Sequence, residues 1–169
     1  MKQLKMKFAN SYKKEFGGEL LIGKRKTQRP LSLRKPIHLV LRSAQNKVFV
    51  PWNRSLEILV YKLAKQFNIK IYDLSLNWSH IHSVILIKSR QDYVGFIRAL
   101  SSILAQKIRQ IKGSSNMIFN LRPYTRILEW GRDFSNAINF VLVNQLESVN
   151  LIKRDSLKKV RRINREVPL

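Results

Sequence analysis

The junction between two apolar runs constrains this chain more than any other feature. Ile69–Trp78 and His80–Ile87 meet at the short link Asn77-Trp78-Ser79. Each run reads as a strand, and so short a link predicts a β-hairpin. Stripes at helical spacing lie on either side. Leu56, Leu59, Val60, Leu63 and Phe67 form one, with Asn53 placed to cap it. Phe96, Ile97, Leu100, Ile103, Leu104 and Ile108 form the other. Ser89-Arg90-Gln91-Asp92 resembles a capping box at its start, and Gly113-Ser114-Ser115-Asn116 breaks it.

The remaining elements extend this core. Ile37–Ser43, bounded by Pro36, reads as a strand. Strand-like pieces follow near Met117–Leu121 and Thr125–Glu129, and a last helix is predicted over about Asp133–Leu146. A short strand is expected at Glu19–Ile22 within an otherwise irregular N-terminal segment. The order strand, helix, strand, strand, helix, short strand, helix predicts an α/β (α+β) fold. Its expected form is a ferredoxin-like antiparallel sheet with packed helices. The main domain is expected at 37–149, between arms at 1–36 and 150–169.

Charge separates those arms from the rest. The chain has 33 Lys+Arg against 10 Asp+Glu, a net charge of +23 over 169 residues. Such an excess points to a polyanionic partner, and nucleic acid is the usual one. Residues 1–36 hold 11 basic and 2 acidic side chains, and residues 150–169 hold 7 and 2. Two readings stay open: arms that lie along a phosphate backbone, or solvated tails. There is no cysteine, so disulfides and thiol catalysis are excluded. Apolar runs such as Val84–Ile87 and Phe140–Val143 are too short to span a membrane. Met1–Lys14 lacks the apolar stretch of a signal peptide. A cytoplasmic protein with no membrane partner is expected.

Two patterns carry chemistry. In His80-Ile81-His82, residues i and i+2 of a strand point to one face, so both imidazoles can meet one ion. Such a pair is often just two ordinary histidines. Here the chain has 3 histidines in all, and two of them stand in this pattern. His38, in the first strand, reads as structural. In the last helix, Phe140 and Asn144 are four apart and share a face. An Asn144 amide oxygen could complete a three-ligand site, or Asn144 could be a surface or capping residue. Phe140 could equally be a core aromatic beside Phe134, Ile138, Val141 and Leu142.

The His80-Ile81-His82 pattern resembles the HUH motif, and Arg132–Asn144 resembles the tyrosine helix of the REP-associated, IS200-like single-tyrosine transposases. In that helix a tyrosine precedes an Asn or Gln by four positions. Arg122-Pro123-Tyr124-Thr125-Arg126 and the basic, glycine-containing N-terminal region are also similar to relatives of this group. The resemblance covers about residues 18–150. It implies an HUH-type fold that handles single-stranded or hairpin DNA. It implies Mg²⁺ or Mn²⁺ held by His80, His82 and Asn144, with the ion polarising the scissile phosphate. It also implies a tyrosine that attacks phosphorus, leaving a 5′-phosphotyrosine and a free 3′-OH. Imidazole ligands by themselves would suggest Zn²⁺ or another transition metal. Some such proteins act as homodimers and others as monomers.

The departure is Phe140, at the nucleophile's position. Phenylalanine has no hydroxyl, so the chain as written is expected not to form the covalent link. Either a tyrosine has been deliberately replaced, or this is a relative that binds DNA without cutting it. Tyr124 is a remote substitute nucleophile. Expected DNA-binding residues are Lys24, Arg25, Lys26, Arg29, Arg122, Tyr124, Arg126 and Arg132, with Trp78 as a further stacking platform. A basic RNA-binding module on a similar sheet is the rival class. It would show aromatic pairs on central strands, where this chain has His80 and His82.

Overall fold

The computed structural model describes residues 14–25, 27–51, 53–112 and 117–152. Lys26, residues 1–13, the expected break at 113–116 and the tail from 153 lie outside the described residues. The strands are β1 (Glu15–Phe16), β2 (Ile37–Arg42), β3 (Lys70–Leu76), β4 (His80–Leu86) and β5 (Tyr124–Ile127). The helices are α1 (Arg54–Gln66), α2 (Arg90–Lys112) and α3 (Arg132–Ser148), and a 3-10 turn spans Gly18–Leu21. The sheet is antiparallel throughout, in the order β1-β5-β2-β4-β3. From β2 to β5 the connectivity is strand–helix–strand–strand–helix–strand, the ferredoxin-like pattern.

The helix starts follow the sequence signals. Asn53 Oδ1 accepts from the Leu56 amide at 3.1 Å. Ser89 Oγ accepts from the Asp92 amide at 3.0 Å and donates to the Asp92 carboxylate at 2.7 Å. The bonds from the Leu56 and Asp92 amides each satisfy an N–H that the first helical turn leaves unpaired.

Strand alternation sorts the side chains. Ile37, Leu39 and Leu41 of β2 and Ile81 and Ile85 of β4 point to one face. There they pack with α1 and α2 through Val60, Leu63, Phe96, Leu100 and Leu104 in the main core. His38, Val40 and Arg42 of β2 and His80, His82 and Val84 of β4 point the other way. A smaller cluster of Val84, Leu128, Ala137 and Val141 attaches α3 to that second face. A bulge between Ile71 and Asp73 turns Tyr72 toward α3, where its ring meets Phe134 edge-on at 5.1 Å.

Two predicted strands are corrected. Glu19–Ile22 is not a strand. Gly17 and Gly18 both have positive φ (93° and 57°) and turn the chain into the 3-10 segment. A side chain at Gly17 would also run into the Pro123 carbonyl. Met117–Leu121 is not a strand either. Ile118 anchors the segment at one point: it is buried, and its carbonyl accepts from the Ala44 amide at 2.8 Å and the Ser43 hydroxyl at 3.0 Å.

Candidate active site

The second face of the sheet gathers the chemistry. His80 and His82 stand side by side on β4, ring centroids 4.6 Å apart. Ser75 Oγ donates to Asn77 Oδ1 at 3.1 Å, and Asn77 Nδ2 lies 3.0 Å from His80 Nε2. Ser79 Oγ lies 3.0 Å from His80 Nδ1. Both ring nitrogens of His80 therefore have partners within the hairpin. Burial lowers the His80 pKa, with the Arg42 charge adding to the effect. A neutral imidazole is the form that can ligate.

Above the histidines lies α3. The Phe140 ring meets His82 edge-on at 5.5 Å and His38 at 5.8 Å, and it remains 42% exposed. This contact brings the aromatic ring of the last helix against His82 and His38. One turn further on, Asn144 is buried, and its Nδ2 donates to the Phe140 carbonyl at 2.7 Å. Trp78 Nε1 donates to the Ser148 carbonyl at 3.1 Å, tying the hairpin tip to the end of α3.

His38 joins the site. Its Nε2 lies 3.1 Å from His82 Nδ1, with the rings within 13° of parallel. Burial pushes its pKa down to about 4, helped by the Arg126 charge, so the ring is neutral near pH 7. The reading of His38 as a merely structural residue missed this contact. The available signal was its position as a polar residue flanked by apolar ones within a strand, but its partner depends on the β2–β4 register.

The basic candidates divide. Lys24, Arg25 and Arg122 are exposed and line one cavity of about 260 Å³. Arg122, Arg42 and Tyr124 line another of about 430 Å³ with Gly17 and Gly18. Tyr124 stands 6.4 Å edge-on from His38, and burial, then Glu15, raises its hydroxyl pKa to about 12. Such a phenol is a poor nucleophile near neutrality. Arg126 pairs with Asp133 at 3.0 Å, and Arg132 is exposed at the start of α3. Arg29 turns inward: it donates to the Thr125 hydroxyl at 2.6 Å and the Pro123 carbonyl at 2.7 Å, and lies over the Phe16 ring. It clasps the N-terminal segment to β5.

Imidazole nitrogens and amide oxygens are donor types that divalent ions accept. Two imidazoles and an amide oxygen would leave positions for water and phosphate oxygens. Among the described residues, no group of three or more His, Cys, Asp or Glu side chains gathers around an ion site.

The family model for IS200-like transposases matches residues 34–132. This chain belongs to that family. The matched segment contains His38, His80, His82 and Tyr124 and ends before Phe140 and Asn144. The fold is also similar to that of a REP-associated tyrosine transposase solved bound to a REP hairpin. That match has a TM-score of 0.53 and 8% identity, and covers 73% of each chain. A candidate transposase from Deinococcus radiodurans R1 matches with a TM-score of 0.46 and 15% identity, over 72% of this chain and 98% of the other. A search of curated proteins gives no match. Among the described residues, no helix of this IS200-like chain is long and apolar enough to cross a membrane.

Proposed function

We propose that this protein binds single-stranded DNA bearing a hairpin, at a transposase site whose nucleophile position is filled by Phe140. The contact of the Phe140 ring with His82 and His38, one helical turn from Asn144, carries this reading. A phosphate lying between the histidines and that ring would face both the ligand set and the point of attack. The basic segments 1–36 and 150–169, flanking a domain at 37–149, would follow the DNA backbone. Lys24, Arg25, Arg122 and Arg132 would contact phosphates, and Tyr124 would stack on an unpaired base.

His80, His82 and Asn144 would hold Mg²⁺ or Mn²⁺, which supplies polarisation of the scissile phosphate when bound. His80 would then exchange one of its hairpin hydrogen bonds for the ion. A tyrosine hydroxyl at position 140 would attack phosphorus. An oxygen–phosphorus bond to the tyrosine would form as the bond to the 3′ oxygen breaks, and that oxygen would leave as a 3′-OH. Phe140 has no oxygen with which to begin, so the chain as it stands binds and does not cut.

Binding tests the first part. Electrophoretic shifts with hairpin DNA carrying unpaired flanks, fully paired DNA of the same length, and the matching RNA hairpin should rank the flanked DNA hairpin tightest. Affinity should fall steeply with salt. Preference for the RNA hairpin would instead favour an RNA-binding module.

A further inference from the structure

We propose that His38 is a positioning residue for His82, holding that ring in one orientation and in the tautomer whose proton is on Nδ1. The inference builds on the reading of His82 as a metal ligand, but the tautomer can be measured without any metal. The geometry is a diagonal contact between strands. His38 pairs with Val84 across β2 and β4, while Val40 pairs with His82. His38 therefore reaches one position along the same face to bring its Nε2 to 3.1 Å from His82 Nδ1. Both rings are buried, and Phe140 and Tyr124 stand edge-on to His38, which limits its rotation.

Two imidazoles that share a hydrogen bond have two neutral arrangements. In one, His82 Nδ1–H donates to His38 Nε2, and His82 Nε2 carries the lone pair. In the other, His38 Nε2–H donates to His82 Nδ1, and the His82 proton sits on Nε2. The second arrangement leaves neither His82 nitrogen able to ligate an ion while the bond persists. A His82 ring held ready to ligate is therefore in the first arrangement before any ion binds. Metal-bound histidines generally donate their other ring N–H to an acceptor that fixes tautomer and orientation. Here the acceptor is a neutral imidazole from the neighbouring strand. Its own proton must then lie on Nδ1.

The full chain labelled with ¹⁵N decides the matter. Long-range ¹H–¹⁵N correlations near neutral pH, without metal, should show both His82 and His38 protonated on Nδ1. His38→Phe keeps a ring of similar size and removes the acceptor. It should release His82 to a mixture of tautomers and weaken Mn²⁺ binding, read by electron paramagnetic resonance titration, roughly 10- to 100-fold. His38→Gln restores an acceptor oxygen and should recover most of that affinity. His82 protonated on Nε2 in the unsubstituted chain would overturn the proposal. So would a His38→Phe protein whose His82 tautomer and Mn²⁺ affinity are unchanged, or equal losses in the Phe and Gln variants. Should the unsubstituted chain fail to bind Mn²⁺, the ligand assignment falls, and the His82 tautomer still decides the role of His38. If His38→Phe does not fold, the tautomer of the unsubstituted chain and the Gln variant remain decisive.

Discussion

The two faces of one sheet have been put to different uses. The face under α1 and α2 is dry: Ile37, Leu39, Leu41, Ile81 and Ile85 meet Phe96, Leu100 and Leu104 with little solvent contact. The opposite face carries His38, His80 and His82 on the same two strands, and α3 lies mainly over β3 and β4. Each strand of the pair is thus core on one side and chemistry on the other, because alternate side chains point apart. The closed face fixes the distance between strands. The α3 face can then hold buried imidazoles and a half-exposed ring without supplying most of the fold's stability.

This division can be broken or sharpened by substitution. The largest effect on stability should come from the closed face. Leu104→Ala removes a fully buried side chain and should cost about 2–5 kcal/mol in urea unfolding, with hairpin affinity per folded molecule unchanged. Second comes acidification. His38 is a base whose folded pKa, about 4, lies below the ordinary value of 6.5. The unfolded chain therefore takes up a proton first as pH falls, and stability is lost between about pH 6.5 and 4. The single-site loss is roughly 3 kcal/mol, and His80, shifted in the same direction, adds to it. The His38→Phe protein should unfold with a flatter pH dependence over that range. Third, Trp78→Phe removes the donor to the Ser148 carbonyl and should cost about 1 kcal/mol. Smallest is Phe140→Tyr, which adds a hydroxyl to a half-exposed ring and should change stability by less than about 0.5 kcal/mol. A large stability loss at Phe140, or none at Leu104, would mean that the faces do not divide the work in this way.

Much of this was legible in the residues themselves. The hairpin 70–86 and the helices α1 and α2 follow from strong apolar periodicity. The His80–His82 pair and the Phe140–Asn144 spacing each need only one element to be understood. What could not be read required two elements at once. His38 acquires its partner only through the β2–β4 register, and Arg29 turns inward only because Pro123 and Thr125 lie beside the N-terminal segment. Gly17-Gly18 looked like part of an irregular arm, yet Glu15–Phe16 just before it pairs with β5. Glu19–Ile22 and Met117–Leu121 have apolar residues in short runs, which helix, strand and anchored loop share alike.

The most direct test of the site is to supply the missing oxygen. Phe140→Tyr and the protein as it stands would each be incubated with Mn²⁺ and a labelled pool of single-stranded DNA hairpins with unpaired flanks. Denaturing gels and intact mass would then be read for a protein–DNA adduct and a shortened strand. The site assignment predicts an adduct in the Phe140→Tyr protein alone, lost again when His82→Ala is added. An adduct that persists without His82, or none from a Phe140→Tyr protein that still binds the pool, would contradict it.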